Sequence, residues 1–313
     1  MNNLKKVGLT ALGTALVASS AQAADFSMSA TSQITLAGAD NGNKGNGFSM
    51  SDSISFSASG EMDNGFTITH SVELDGGAGV GFNALAIDTG DMGKLTFVGG
   101  SSTSVMGVWD DLTPSANEES WGVGYAGTPD TPANGSAITH NIFTYDYTIM
   151  DGLALKASYV PSHTTGAVEG SMDYGVKFTP SQIDGLTVYA AMGENNDAAN
   201  SADVSMAAAI YTAGALSVGY QVNETDFGTG TSDEDFTALG VSYAVSDDLS
   251  VSLNTSTIDY EATAKDDQDA TSVSFSHTSG GMTISGSYGN MDNVAGTPTA
   301  DNSAYEINFK FAF

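Results

Sequence analysis

Arginine and cysteine are absent from this 313-residue chain, and all eight of its basic residues are lysines. Without cysteine no disulfide can staple the fold, so main-chain hydrogen bonds and packing must hold it. Basic side chains are too few to cover phosphates, which excludes nucleic acid as a partner. Long apolar runs are missing too. Past residue 23 no window reaches even ten consecutive apolar residues, and a membrane helix needs roughly 20. Histidine is scarce and scattered: His70, His140, His163 and His277 show no pair at metal-ligand spacing, so no zinc site is expected. Serine is so abundant that a Ser–His coincidence carries no catalytic meaning, and no enzyme chemistry is expected. The glycine-rich stretches Gly42–Gly47 and Gly77–Gly81 open no helix, which leaves phosphate cradling unsupported.

What is present begins with an address. Lys5 and Lys6 precede the apolar stretch Val7–Ala18, and Ala21-Gln22-Ala23 supplies a small-x-small cleavage pattern. Residues 1–23 therefore read as a secretory signal peptide, too short for a spanning anchor. The remaining residues, 24–313, hold six lysines against 37 Asp and Glu, a formal charge of −31. Such a field attracts cations and repels anions. An acidic surface suited to salty water would give the same excess.

Segments of about ten residues then alternate apolar side chains with Ser, Thr, Gly or Asn, which is the period of a strand. Phe26, Met28, Ala30, Ile34 and Leu36 share one face of the first, with Ser27, Ser29, Thr31, Gln33 and Thr35 on the other. In the second, Phe48, Met50, Ile54, Phe56 and Ala58 alternate with serines at 49, 51, 53, 55 and 57. Sixteen such segments are predicted, over 25–37, 48–60, 66–74, 80–88, 94–102, 137–149, 153–161, 171–179, 186–194, 202–212, 215–224, 234–245, 249–259, 270–279, 282–290 and 303–313. Segment 80–88 has no clean apolar face, and in 137–149 Ile138 and Ile142 fall out of phase with Phe143, Tyr145, Tyr147 and Ile149. Short turns alternate with longer polar connections. Hydroxyl faces opposite aromatic and aliphatic faces suit water within and lipid without. The pattern predicts an all-β fold, a transmembrane antiparallel barrel of about sixteen strands with residues 24–313 as one domain. The competing all-β reading is a soluble sandwich.

Two segments carry a resemblance. Tyr305, Ile307, Phe309, Phe311 and Phe313 share one face of the last strand, similar to the C-terminal signal that outer-membrane barrels show their assembly machinery. Gly90-Asp91-Met92-Gly93-Lys94-Leu95-Thr96-Phe97-Val98-Gly99-Gly100 resembles the turn and strand before the in-folded third loop of general Gram-negative porins. The chain is similar in strand number and order to the sixteen-stranded trimeric porins, particularly those of marine alphaproteobacteria. That resemblance implies an outer-membrane location among lipid and lipopolysaccharide, a homotrimer, no cofactor, and passive diffusion of small hydrophilic solutes. It also makes 101–136, the longest connection, a constriction loop. One departure stands out: the family carries an arginine cluster facing that loop, and this chain has none.

The expected pore constriction is Asp110, Asp111, Glu118 and Glu119 on the loop, against a wall of serines and threonines, with a preference for cations. Glu73, Lys156, Lys177, Glu306 and Lys310 fall on the inner parity of their strands and would line the pore wall. Asp52 and His70 interrupt lipid-facing parity on the second and third strands, which marks a subunit interface. Asp266-Asp267-Gln268-Asp269 has carboxylates for a loop-bound calcium but more simply reads as a solvated loop tip, as does Asp40-Asn41-Gly42-Asn43. The alternative function is a structural or adhesive barrel whose loops bind a surface, a phage or calcium-linked lipopolysaccharide.

Overall fold

The computed structural model describes residues 25–40, 47–76, 79–100, 104–132, 141–162, 170–196, 201–228 and 233–313. Residues 1–23, read as an export signal, lie outside them, as do His140, His163, Ile138 and most of the Asp40–Asn43 run.

Sixteen antiparallel strands close one barrel: β1 (Asp25–Ala39), β2 (Phe48–Glu61), β3 (Thr67–Asp75), β4 (Gly79–Asp88), β5 (Lys94–Gly100), β6 (Ile142–Met150), β7 (Leu153–Val160), β8 (Ser171–Phe178), β9 (Leu186–Asn195), β10 (Ala202–Ala213), β11 (Leu216–Phe227), β12 (Glu234–Ala244), β13 (Leu249–Tyr260), β14 (Gln268–Ser279), β15 (Met282–Asp292) and β16 (Asn302–Ala312). Each strand pairs with its sequence neighbours, and β1 pairs with β16 to seal the sheet. Closure satisfies every ladder without an edge, the condition for a sheet to cross hydrocarbon. All sixteen predicted segments hold a strand, with described ends moved by a few residues; positions 101–102 and 137–140 of two of them lie outside the described residues.

Register turns the alternation into two surfaces. Met28 faces Phe56 and Ile34 faces Met50 on the outside, while Ser29 faces Ser55 and Thr35 faces Ser49 within. The irregular fourth segment has a cause. Register shifts occur between Glu73 and Leu74 and again between Asn83 and Ala84, so β4 changes phase midway. In β6 the strand starts at Ile142, which is fully buried on the inner side, while Phe143 is exposed outside. The phase conflict there was real.

The two-faced pattern needs one correction. The inner positions of β10 are apolar: Val204, Met206 and Ala208 are buried, with Asp203 and Ala207 exposed outside. Outward acids also gather at the loop-side ends of β9–β15, where Asp203 opposes Glu194 and Asp226, Asp235 opposes Glu224 and Asp259, and Asp269 opposes Asp292. At a strand end a carboxylate reaches water, so the cost of facing hydrocarbon does not apply.

Candidate functional site

The described part of the connection after β5, residues 104–132, folds into the barrel. It begins with α1 (Val105–Val108), a single turn whose N–H groups are met by the wall: Val105 N–H donates to Ser158 Oγ at 3.0 Å and Met106 N–H to Asp173 Oδ2 at 3.0 Å. Val105, Met106 and Trp109 then pack on Ala191, Ala202, Val204, Met206 and Ala208. This is why the inner face of β10 is apolar. Full burial of each large side chain is worth roughly 1.5–3 kcal/mol, so the loop is anchored by a core of its own.

Further along, the loop crosses strand after strand. Leu112 N–H donates to Gln221 on β11, Ala116 N–H to Ser252 on β13, and Asn117 to Ser287 and Glu306 on β15 and β16. Trp121 meets Phe236 edge-on at 5.0 Å, and Val123 and Tyr125 pack with Ala270, Met291 and Ala304. At the far end Asp130 accepts from Tyr260 at 2.8 Å and lies 3.3 Å from Lys265. The loop thus lies along β7–β16 and leaves the lumen open toward β1 and β2, while Ala84, Val98 and Ile142 on the inner face of β4–β6 are buried. Facing it there are Ser27, Ser29, Thr31, Gln33 and Thr35 with the odd-numbered serines of β2.

The four predicted loop acids come together. Burial against loop and wall pushes Asp110, Glu118 and Glu119 each up to about 7. Mutual repulsion adds to this: Asp111 acts on all three, and Glu306 acts on Glu118 from the wall. Glu306 is therefore part of the group, fixed by Asn117 Nδ2 and Asn308 Nδ2 at 2.7 and 2.8 Å.

The other predicted wall residues are apart from it. Glu73 lies on the inner face of β3 in a recess with Ser27, Ser29, Ser55, Ser57, Ser71 and Phe82. Lys156 pairs with Asp146 at 2.8 Å, and Lys177 sits 5.7 Å from the centre of the Tyr189 ring. Lys310 points inward opposite Gln33. Sequence reasoning missed Lys94, which shares Asp146 at 3.8 Å. Its inner parity on β5 was the available signal.

Asp52 and His70 are exposed on the outer face, opposite Ser32 and Ala58 respectively. Tyr305, Ile307, Phe309 and Phe311 also face outward, and the main chain of Phe313 exchanges hydrogen bonds with Ala30. Gln268 is not a free loop tip: its side chain accepts from Asp130 and Ala295 and donates to the Asp130 carbonyl. Among the described residues no three His, Cys, Asp or Glu side chains converge as a metal site.

A closed barrel with an internal, wall-anchored loop can be compared with known proteins. The Gram-negative porin family model matches residues 8–313. The chain belongs to the Gram-negative porin family.

Its place is accordingly the outer membrane. Solved porins share the fold at low identity. An anion-selective porin from Comamonas acidovorans is 12% identical with TM-score 0.72, over 93% of this chain and 100% of that one. A loop-deletion mutant of OmpT, an outer membrane protein of Vibrio cholerae, is 18% identical with TM-score 0.70, over 93% and 100%. A mutant of the Rhodopseudomonas blastica porin is 16% identical with TM-score 0.65, over 92% and 100%. No curated protein matches this porin chain in sequence.

Proposed function

We propose that this porin is a water-filled pore for passive diffusion of small hydrophilic solutes, with a preference for cations. One observation carries the reading. Asp110, Asp111, Glu118 and Glu119 converge with Glu306 beside the open lumen, in a chain without arginine. Opposite stand hydroxyls, so the field across the passage is one-sided and draws cations toward it. Sixteen strands leave an aqueous channel rather than a packed interior, and the loop narrows it. Anion selectivity in the Comamonas porin is a property of that protein, and at 12% identity the shared fold does not transfer it.

The exposed apolar surface of β1–β3, interrupted by Asp52 and His70, suits contact with a second copy, and a homotrimer is the assembly we propose. The aromatic final strand suits recognition by the barrel assembly machinery. Lipid and lipopolysaccharide would cover the remaining apolar belt.

Single-channel recording in a planar bilayer tests the reading. Discrete ohmic steps and a reversal potential favouring potassium over chloride in a salt gradient are expected. No steps would sink the pore, and a chloride-favouring potential would sink the selectivity.

A further inference from the structure

Four charged residues form a row across the inner wall at the short-turn end of the barrel. Asp88 on β4 is the register partner of Lys94 on β5, Lys94 of Asp146 on β6, and Asp146 of Lys156 on β7. Signs alternate along it. Lys177 on β8 and Asp91 in the β4–β5 turn extend the row at its two ends. All six line one cavity of about 660 Å³, roofed by Val108 and Trp109 at the start of the internal loop. That volume is in the range of small-molecule sites.

Three of the five lysines among the described residues gather here, in a lumen otherwise dominated by carboxylates. A ladder that only braced the wall would consume its charges in pairs. This one does not. Asp146 is shared by Lys94 and Lys156, and Lys177 has no carboxylate within ion-pair distance among the described residues, only the face of Tyr189. At the other end Asp88 accepts the Gly90 N–H, and neither Asp88 nor Asp91 makes an ion pair among the described residues. The cavity is thus electropositive toward β7–β8 and electronegative toward the β4–β5 turn.

Resting on the porin reading above, we propose that this cavity is a binding site for short zwitterionic peptides of about four residues. The carboxylate is taken by Lys177 and Lys156, and the ammonium by the carboxylates toward Asp88 and Asp91. A simple anion would meet three aspartates, and a simple cation three lysines, so only a solute bearing both charges gains at both ends. Adjacent strands are ~4.8 Å apart, so Lys156 and Lys177, three and four strands from Asp88, stand roughly 14–19 Å from it along the wall. The charges of an amino acid or a dipeptide are far closer than that. Those of an extended peptide of about four residues, at ~3.5 Å per residue, match it.

The full-length protein in planar bilayers tests this with three probes of one shape: tetra-L-alanine, its N-acetyl derivative carrying only the carboxylate, and its C-terminal amide carrying only the ammonium. Saturable interruption of potassium current by tetra-L-alanine is expected, with the other two at least about tenfold weaker. Lys177→Gln should raise the half-blocking concentration about tenfold, the scale of one lost charge-assisted contact. Equal block by the N-acetyl compound would overturn the proposal in favour of an anion site. Block by none, or block unchanged in Lys177→Gln, would overturn it outright. Current without added solute reports separately on the porin reading, so the two failures are distinguishable.

Discussion

The indole of Trp109 occupies the space where Gly175 has no side chain: a Cβ at 175 would stand 2.3 Å from the Trp109 ring. The same fit recurs at Gly289, where a Cβ would lie 2.1 Å from the hydroxyl oxygen of Tyr125. Inward glycines on β8 and β15 thus form seats for the bulky residues of the internal loop. What looks in sequence like a weak strand position is where the loop is held.

Filling a seat should loosen the loop. Gly175→Val forces Trp109 off the wall, an overpacking change costing about 1–3 kcal/mol. The cost falls on the loop and on the β8–β9 contact, where the same Cβ would stand 2.7 Å from Ala191 Cβ and 2.8 Å from the Ala190 carbonyl oxygen. We expect larger and noisier single-channel conductance with nearly unchanged strand content by circular dichroism. Conductance indistinguishable from the parent would mean that Trp109 does not set the loop's position.

Selectivity should depend on the loop acids and on pH. Replacing Asp110 and Asp111 with Asn and Glu118 and Glu119 with Gln should lower potassium preference in reversal-potential measurements. Because burial raises three of these carboxyls to about 7, they are charged above that pH and neutral below it. Preference should therefore be full near pH 8 and fall as pH drops through 7, and this step should vanish in the quadruple variant. A flat profile in the parent between pH 8 and 5 would assign selectivity to other carboxylates.

Assembly should be more sensitive than stability at the C-terminus. The Phe313 side chain is 80% exposed, and its anchoring to Ala30 is through the main chain. Phe313→Ser removes little folded-state packing. A sharp fall in heat-modifiable barrel in cells, with normal refolding in detergent, would indicate recognition of the aromatic. Normal amounts of barrel in cells would show that the residue is not read.

The outer face of β1–β3 should mediate self-association. Asp52 and His70 are exposed beside Ile54, Phe56 and Val72, and a charge facing mid-depth hydrocarbon costs roughly 2–4 kcal/mol for Lys or Arg and less for Asp. Asp52→Leu with His70→Leu should lower the temperature at which the oligomer dissociates in detergent while leaving the monomeric barrel folded. An oligomer of unchanged heat resistance would place both residues at a headgroup rim instead.

Strand number, order and barrel closure were legible because the period of two repeats sixteen times, and one buried or lipid-facing surface per strand fixes register locally. Phe26–Leu36 and Phe48–Ala58 needed no partner to reveal which face meets lipid. The acids of the loop were legible as a charged segment in the longest connection. Three matters required the tertiary structure. Here loop and wall meet across nearly a hundred residues, so the apolar inner face of β10 gave no local hint that Val204 and Met206 would cover Trp109 rather than lipid. Glu306 joins the loop acids only because barrel closure sets β16 beside Asn117. The charge row from Asp88 to Lys156 exists only in register, because four strands must pair before residues 68 positions apart stand at one level. Period is a property of a segment, whereas convergence is a property of the closed sheet.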